Sequence, residues 1–216
     1  MEIKGAIFDL DGTLLDSLYV WDGIGRSYLE QKGITPKPDL DEALSTLSLR
    51  QAVQYFQKEY GTDDDFDTVL ELTHQLVGDL YKNEVKAKPG VDKLLQSLAS
   101  KGVRMCVATA TEHQMAQDAL HHNNLLSYFN SILTCTDVGA GKDQPDIFLK
   151  AQELLKTPIA STFVFEDSLY SMITAKDAGF KVAAIMDERN SDKQSEIKRV
   201  ADVVLDSFYK AVDVFC

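Results

Sequence analysis

Lys4-Gly-Ala-Ile-Phe-Asp-Leu-Asp-Gly-Thr-Leu-Leu-Asp-Ser17 decides how the rest of the chain is read. Ala6, Ile7 and Phe8 form a short apolar run of the kind that makes a buried strand, and Gly12 and Thr13 turn the chain away directly after it. The run ends in Asp9 and Asp11, two residues apart. Side chains alternate along an unbroken strand, so a bend after Asp9 is what aims both carboxylates at one spot beyond the strand's C-terminal edge. Ligands bind at that edge in open α/β sheets. An Asp-x-Asp-Gly stretch is also a common plain turn, with Asp oxygens on nearby amides and Gly supplying positive φ, so the motif has to be weighed with the other strand ends of the chain.

Composition narrows the class. The chain has 216 residues, 44% hydrophobic and 26% charged, long enough to bury a core without disulfides or metal staples. Its net charge is −12, with 34 acidic against 22 basic residues and no basic run, which speaks against nucleic acid as a partner. An anionic small molecule stays possible, because a bound divalent cation and one Lys reverse the potential inside a cleft. Cys106, Cys135 and Cys216 are an odd, scattered set, read as free thiols of a reducing compartment. No run approaches a membrane span and no secretory signal opens the chain, so the expected setting is cytoplasmic, with a monomer or weak dimer.

After Ser17 the periodicity turns helical. Leu18, Trp21, Ile24, Tyr28 and Leu29 predict one helix closed by Gly33, and further helices are expected over 40–47, 49–60 and 66–81. Asp63, Asp64 and Asp65 suit a solvated helix start better than a calcium loop, since spaced carboxylates and a distal Glu are missing. From Val85 strands and helices alternate. Strands are expected at 103–108, 131–135, 162–165, 181–186 and 203–205, with helices between them, one of them opened by Pro145 at its first position. That rhythm implies parallel β-α-β units, a Rossmann-like three-layer α/β/α core. The first strand joins this core across an all-helical insert: 1–15 and 86–216 form the core and 16–85 a helical cap. Inserted after the Asp-bearing turn, the cap is placed to act as a lid, hinged near 15–17 and 85–88.

Other strand ends carry polar residues in apolar surroundings: Thr109 and Thr111, Lys142 in Gly139-Ala-Gly-Lys, and Glu166-Asp167-Ser168. Each alone reads as a helix cap or a solvated loop charge. Together with Asp9 and Asp11 they converge on one edge of a parallel sheet. Carboxylates, a Lys and hydroxyls in one place suit phosphoryl transfer to a carboxylate: nucleophile and phosphate dianion repel, a divalent cation offsets the charge, and Lys takes up the nonbridging oxygens.

The chain resembles the haloacid dehalogenase superfamily, in the subgroup with a helical cap between the first two motifs and close to the β-phosphoglucomutase and phosphoglycolate phosphatase group. Asp9-Leu-Asp-Gly-Thr matches the first motif, Thr109 the second, Lys142 the third and Glu166-Asp167 the fourth. The resemblance implies that Asp9 is the nucleophile and Asp11 the general acid/base. It implies Mg2+ held by Asp9, Asp167 and the backbone carbonyl of Asp11, with Glu166 direct or through water, and phosphate held by Lys142, Thr109 and the amides around Leu10 and Ala110. The implied activity is hydrolysis of a small phosphorylated metabolite. Ala110 stands where many relatives have Asn, Asp143 where Pro is frequent, and Ser171 where Gly is common. Asp11 argues for phosphoryl chemistry over dehalogenation, which needs neither a second Asp nor magnesium.

Two other readings compete. A sugar phosphomutase of the β-phosphoglucomutase type would have a cap His near Trp21 and a basic residue at Glu112; this chain has neither, its nearest His being His74. Arg50 does resemble a cap Arg that grips a distal phosphate. A non-catalytic phosphometabolite-binding protein is the third reading, against which the intact Asp9, Asp11, Lys142 and Asp167 count. Trp21 and Arg50 are the cap candidates for substrate contact, together with Tyr19 and Asp22, though each suits cap packing or surface as well. His113, His121 and His122 lack metal-ligand spacing and read as a solvated helix face.

Overall fold

The computed structural model describes residues 2–215. Six parallel strands, β1 (Gly5–Phe8), β4 (Arg104–Thr109), β5 (Ser131–Thr134), β6 (Thr162–Glu166), β7 (Lys181–Ile185) and β8 (Val203–Leu205), lie in the order β5-β4-β1-β6-β7-β8. The first strand is therefore central, with Phe8 opposite Val107 on one side and Phe165 on the other. Its alternation serves two layers: Ala6 and Phe8 join an apolar cluster with Leu94, Leu98 and Phe215, and Ile7 joins another with Phe148, Val164 and Met172. Helices α5 (Val91–Ser100), α6 (His113–His122) and α11 (Phe208–Phe215) bury side chains in the first cluster. Helices α8 (Asp146–Leu155), α9 (Leu169–Asp177) and α10 (Gln194–Val200) supply the second. Phe8 stacks on Phe165 at 4.4 Å, and each such buried ring contributes on the order of 2–3 kcal/mol by removal from water.

The chain leaves β1 for β4 on one side and later reaches β6 on the other. The order reverses at β1, and a crevice opens at the carboxyl ends of these strands. Asp9 follows β1 there, its amide donating to Phe165 O at 3.0 Å.

The residues between β2 (Leu15–Asp16) and β3 (Lys86–Ala87) are helical: α1 (Ile24–Gln31), α2 (Leu40–Leu44), α3 (Leu49–Tyr60) and α4 (Phe66–Asn83). They close on their own apolar cluster of Tyr28, Leu29, Leu40, Val53, Phe56 and Val69. Local chemistry sets their ends. Ser48 and Gln51 form a reciprocal capping box at α3, Gly61 ends it at φ 69°, and Asp65 accepts from Thr68 N at 2.9 Å to start α4. Asp64 is not a solvated charge: it accepts from Tyr28 Oη at 2.8 Å and pairs with Lys32 at 2.5 Å.

Other expectations change as well, and the helix expected over 40–47 ends at Leu44. The single helix from Leu18 is a 3-10 turn (Leu18–Trp21) followed by α1, because Gly23 between them sits at φ 74° and breaks the hydrogen-bond ladder. Cys135 does not end β5; it opens a one-turn helix, α7 (Cys135–Val138), capped by Thr134 and Asp137. Pro145 lies one residue before α8 rather than at its first position. Cys106 and Cys135 are free and buried, and burial pushes both thiols up to about 11; Cys216 lies outside the described residues. No described helix is long and apolar enough to cross a membrane.

Candidate active site

The turn after β1 is made by Gly12. It sits at φ 79°, and a Cβ there would lie 2.6 Å from Asp167 Oδ2, so only glycine lets the two loops meet. The turn closes through Gly12 N to Leu15 O and Leu15 N to Leu10 O, both 2.9 Å, with the Leu10 side chain sealed in the core. Thr13 then donates to Asp167 Oδ1 at 3.3 Å.

Lys142 reaches the same place from the loop after α7 and is 4% exposed. Its ammonium donates to Asp9 Oδ1 and, at 2.7 Å, to Glu166 Oε1. Glu166 is held on both oxygens: Oε2 accepts from the amides of Asp167 and Ser168 at 2.9 Å, and Oε1 accepts from Ser171 Oγ at 2.6 Å. Ser171, where glycine was the commoner residue, is thus a donor to the carboxylate that orients Lys142. Asp143, in place of the frequent Pro, leaves Lys142 in reach and accepts from Gln51 of α3 at 3.4 Å.

Burial pushes Asp9 up to about 7 against the pull of Lys142, with Glu166 and Asp11 adding to the rise. Asp167 is raised well above the ordinary range by burial and by the charges of Glu166 and Asp9. Burial disfavours the charged Lys142, yet Asp9 and Glu166 outweigh it and hold the ammonium protonated. Asp9, Glu166 and Asp167 each present an oxygen within 4.8 Å of the others, the one such group among the described residues. Three buried carboxylates against one Lys leave a charge deficit, and an all-oxygen donor set fits a hard divalent cation.

Asp11 sits beside this cluster but is bonded differently. Ser17 Oγ and Tyr81 Oη donate to Oδ1, Ser17 at 2.5 Å, and Thr111 Oγ1 donates to Oδ2 at 2.5 Å. Tyr81, near the end of α4, accepts in turn from Trp21 Nε1 at 2.8 Å. Burial and the Asp11 charge hold its phenol well above 10. A helix of the insert therefore touches the carboxylate at the sheet edge. Thr111 was legible as a polar strand end; Tyr81 was not, since an aromatic on the inner stripe of an amphipathic helix reads as core.

Thr109 ends β4 buried, accepting from Thr111 N at 3.0 Å, and Ala110 follows it in the wall of the crevice. The crevice continues beneath α1–α4 as a cleft of about 690 Å³ lined by Asp9, Asp11, Lys142, Glu112 and Trp21 among others. Glu112 is buried and accepts from Thr136 Oγ1 at 2.6 Å; burial raises its carboxyl. Arg50 is absent from the wall: it is exposed and lays its guanidinium over Phe66, 4.1 Å from the centroid. Asp22 is engaged by Arg189 through paired bonds of 2.8 and 2.9 Å, and Tyr19 is half exposed.

Residues 6–185 match the sequence profile of the family described as haloacid dehalogenase-like hydrolase. The chain belongs to that family. Among curated proteins, a phosphorylated carbohydrates phosphatase of Thermotoga maritima is 26% identical over 83% of each chain. Hexitol phosphatase A of Escherichia coli is 27% identical over 96% of this chain and 92% of its own. Among solved structures, a family hydrolase of Entamoeba histolytica superimposes with a TM-score of 0.80 at 22% identity, covering 96% of this chain and 95% of that one. At that identity the superposition establishes the hydrolase family's fold and no more.

Proposed function

We propose that this hydrolase cleaves the phosphate monoester of a small metabolite in two steps, with Asp9 as nucleophile. A carboxylate oxygen of Asp9 bonds to phosphorus as the ester P–O bond breaks, and the departing alkoxide takes the proton carried by Asp11. Water then attacks phosphorus, Asp11 takes its proton, and the P–O bond to Asp9 breaks to release phosphate. Lys142 holds nonbridging oxygens, helped by Thr109 and the amides around Leu10 and Ala110. Magnesium, held by Asp9, Asp167 and the backbone carbonyl of Asp11, would supply the positive charge that lets a carboxylate meet a phosphate dianion. Glu166, held on both oxygens by protein donors, orients Lys142 and would meet the metal directly or through water.

The observation that carries this reading is the buried contact of Lys142 with Asp9 beside Asp167, with Asp11 held separately by three hydroxyls. Asp11 stands clear of the ammonium that binds Asp9, so the two carboxylates can take separate roles, and a bound magnesium would favour the ionised form of Asp9. In the same reading 16–85 is a cap over a core of 1–15 and 86–216, and the setting is cytoplasmic, where Cys106 and Cys135 stay reduced. Hydrolysis is favoured over phosphate return, since Arg50 stacks on Phe66 and the wall position after the second motif is the acidic Glu112. The test is phosphate release from a panel of metabolite monoesters with magnesium. Turnover is expected to fall by at least about 10⁴-fold in Asp9→Asn, and release that survives this substitution, or isomerised sugar without free phosphate, overturns the proposal.

A further inference from the structure

The floor and the wall of the cleft differ in character. At the floor stand Asp9, Lys142 and Asp167. Away from it, under the helical insert, the wall carries Leu18, Ile24, Leu44, Leu49, Leu72 and Leu76. None of these side chains is sealed: five are half-buried and Leu76 is 42% exposed. Large apolar residues left partly open beside a reaction centre give a bound group apolar surface to take out of water.

Many polar side chains in the same wall are bonded to the protein, while Gln31, Ser168, Tyr170 and Lys193 are left open. Trp21 Nε1 donates to Tyr81, Tyr28 Oη to Asp64, Ser45 Oγ to Glu42 O and Thr73 Oγ1 to Val69 O, at 2.7–2.8 Å. Asp22 and Arg189 pair with each other, and Asn190 Nδ2 donates to Asp167 O at 2.9 Å. Asp41 pairs with Arg26 at 3.5 Å, and Gln31 and Lys193 are exposed. A polyol placed here would give up its water for few new hydrogen bonds, whereas a hydrocarbon chain loses nothing and removes leucine surface from water. At about 690 Å³ the cleft is in the range that encloses ligands far larger than phosphate alone.

We propose that the leaving group is a hydrocarbon-rich alcohol, so that the substrate class is the monophosphate ester of an alkyl, isoprenoid or aryl alcohol rather than of a sugar or hexitol. The inference rests on the hydrolase reading and narrows it. The phosphate end sits on Lys142 and Asp9, and the organic end lies along the leucines of the insert.

Ethyl, butyl, hexyl and octyl phosphate share nearly the same leaving-group basicity, so their kcat/KM values compare binding of the chain alone. With magnesium present, kcat/KM rises by about two- to fourfold per added methylene up to hexyl. Hexyl phosphate exceeds glycerol 3-phosphate and hexitol 6-phosphate by at least about tenfold, and benzyl phosphate distinguishes an aryl from an alkyl preference. Leu76→Gln, at an exposed helix position, lowers the hexyl-to-ethyl ratio by about threefold or more, and so does Leu47→Gln, which lines the cleft from the loop between α2 and α3. A flat chain-length series, or a preference for the polyol esters, overturns the inference and leaves the hydrolase reading standing. Failure to hydrolyse any ester, p-nitrophenyl phosphate included, sinks the hydrolase reading instead. In that case alkylphosphonates decide the inference by thermal shift: hexylphosphonate stabilises the magnesium-loaded protein more than methylphosphonate, and equal shifts overturn it.

Discussion

Asp11 accepts from hydroxyls contributed by three separate segments, and removing one donor loosens the carboxylate without removing it. Tyr81→Phe keeps the ring and its packing on Trp21, centroids 6.0 Å apart, and deletes the hydroxyl that donates to Asp11 and accepts from Trp21 Nε1. If Tyr81 aims the acid at the leaving oxygen, kcat for an alkyl ester falls by about tenfold or more, within the range that general acid catalysis commands. For p-nitrophenyl phosphate, whose leaving group needs little protonation, the loss is about twofold. Equal losses for both esters would make Tyr81 a packing residue. Asp9 carries a second expectation. Its pKa in the folded chain, about 7, lies above the ordinary 3.8, so the folded protein keeps a proton that the unfolded chain has released in between. Stability of the metal-free protein therefore falls as pH rises from about 4 to about 7, and Asp167, also raised, acts in the same direction. Magnesium bound at the cluster would favour the ionised carboxylates and reverse this, so its stabilisation of the melting temperature is expected to grow from pH 5 to pH 7.5; a magnesium effect that shrinks across that window contradicts the cluster as its site.

At the scale of elements, the turn after β1 and the caps of the helices are local devices. Gly12→Ala places a Cβ at positive φ and against Asp167, so it destabilises by more than about 1 kcal/mol, and its activity loss exceeds what the lowered stability explains. Urea unfolding beside turnover at low temperature separates the two; wild-type behaviour on both would mean that the turn adopts another path. Most elements were legible in the sequence because their signals span only a few residues: Gly33 closing α1 and Asp65 before α4. What escaped was short or broken. β2 and β3 pair antiparallel through two residues each, Leu15 with Ala87 and Asp16 with Lys86, too few to show a period. They clasp the two expected hinge segments together, so the insert enters and leaves through one narrow ribbon. The apolar spacing of Leu18 to Leu29 outweighed Gly23, although glycine in the middle of a helical pattern signals a break.

Across the whole molecule, contacts beyond the ribbon bridge insert and core: Asp22 with Arg189, Gln51 with Asp143, and Tyr81 with Asp11. The Asp22 to Arg189 pair is well exposed, 62% and 47% by side chain, and such a pair contributes at most about 1 kcal/mol, less in salt. Arg189→Ala is expected to leave the melting temperature within about 2 °C while shifting the balance between closed and open cleft, read as a larger radius of gyration in solution scattering and a raised KM. An unchanged radius and KM would mean that the pair does not hold the insert down.

The sequence by itself determined the first strand, the alternating α/β core and the helical insert, because strands, caps and turns are written in neighbours a few positions apart; the gathering of Asp9, Lys142, Glu166 and Asp167 was expected from the family resemblance, and the fold brings their side chains together. Only the tertiary structure decided which groups hold Asp11, where Arg50 points and what lines the cleft. Tyr81 and Thr111 lie 70 and 100 positions from the carboxylate they bond, and no local periodicity distinguishes a side chain turned to a core from one turned to a substrate. That choice is made when the insert packs over the sheet edge and some of its apolar surface is left facing the cleft.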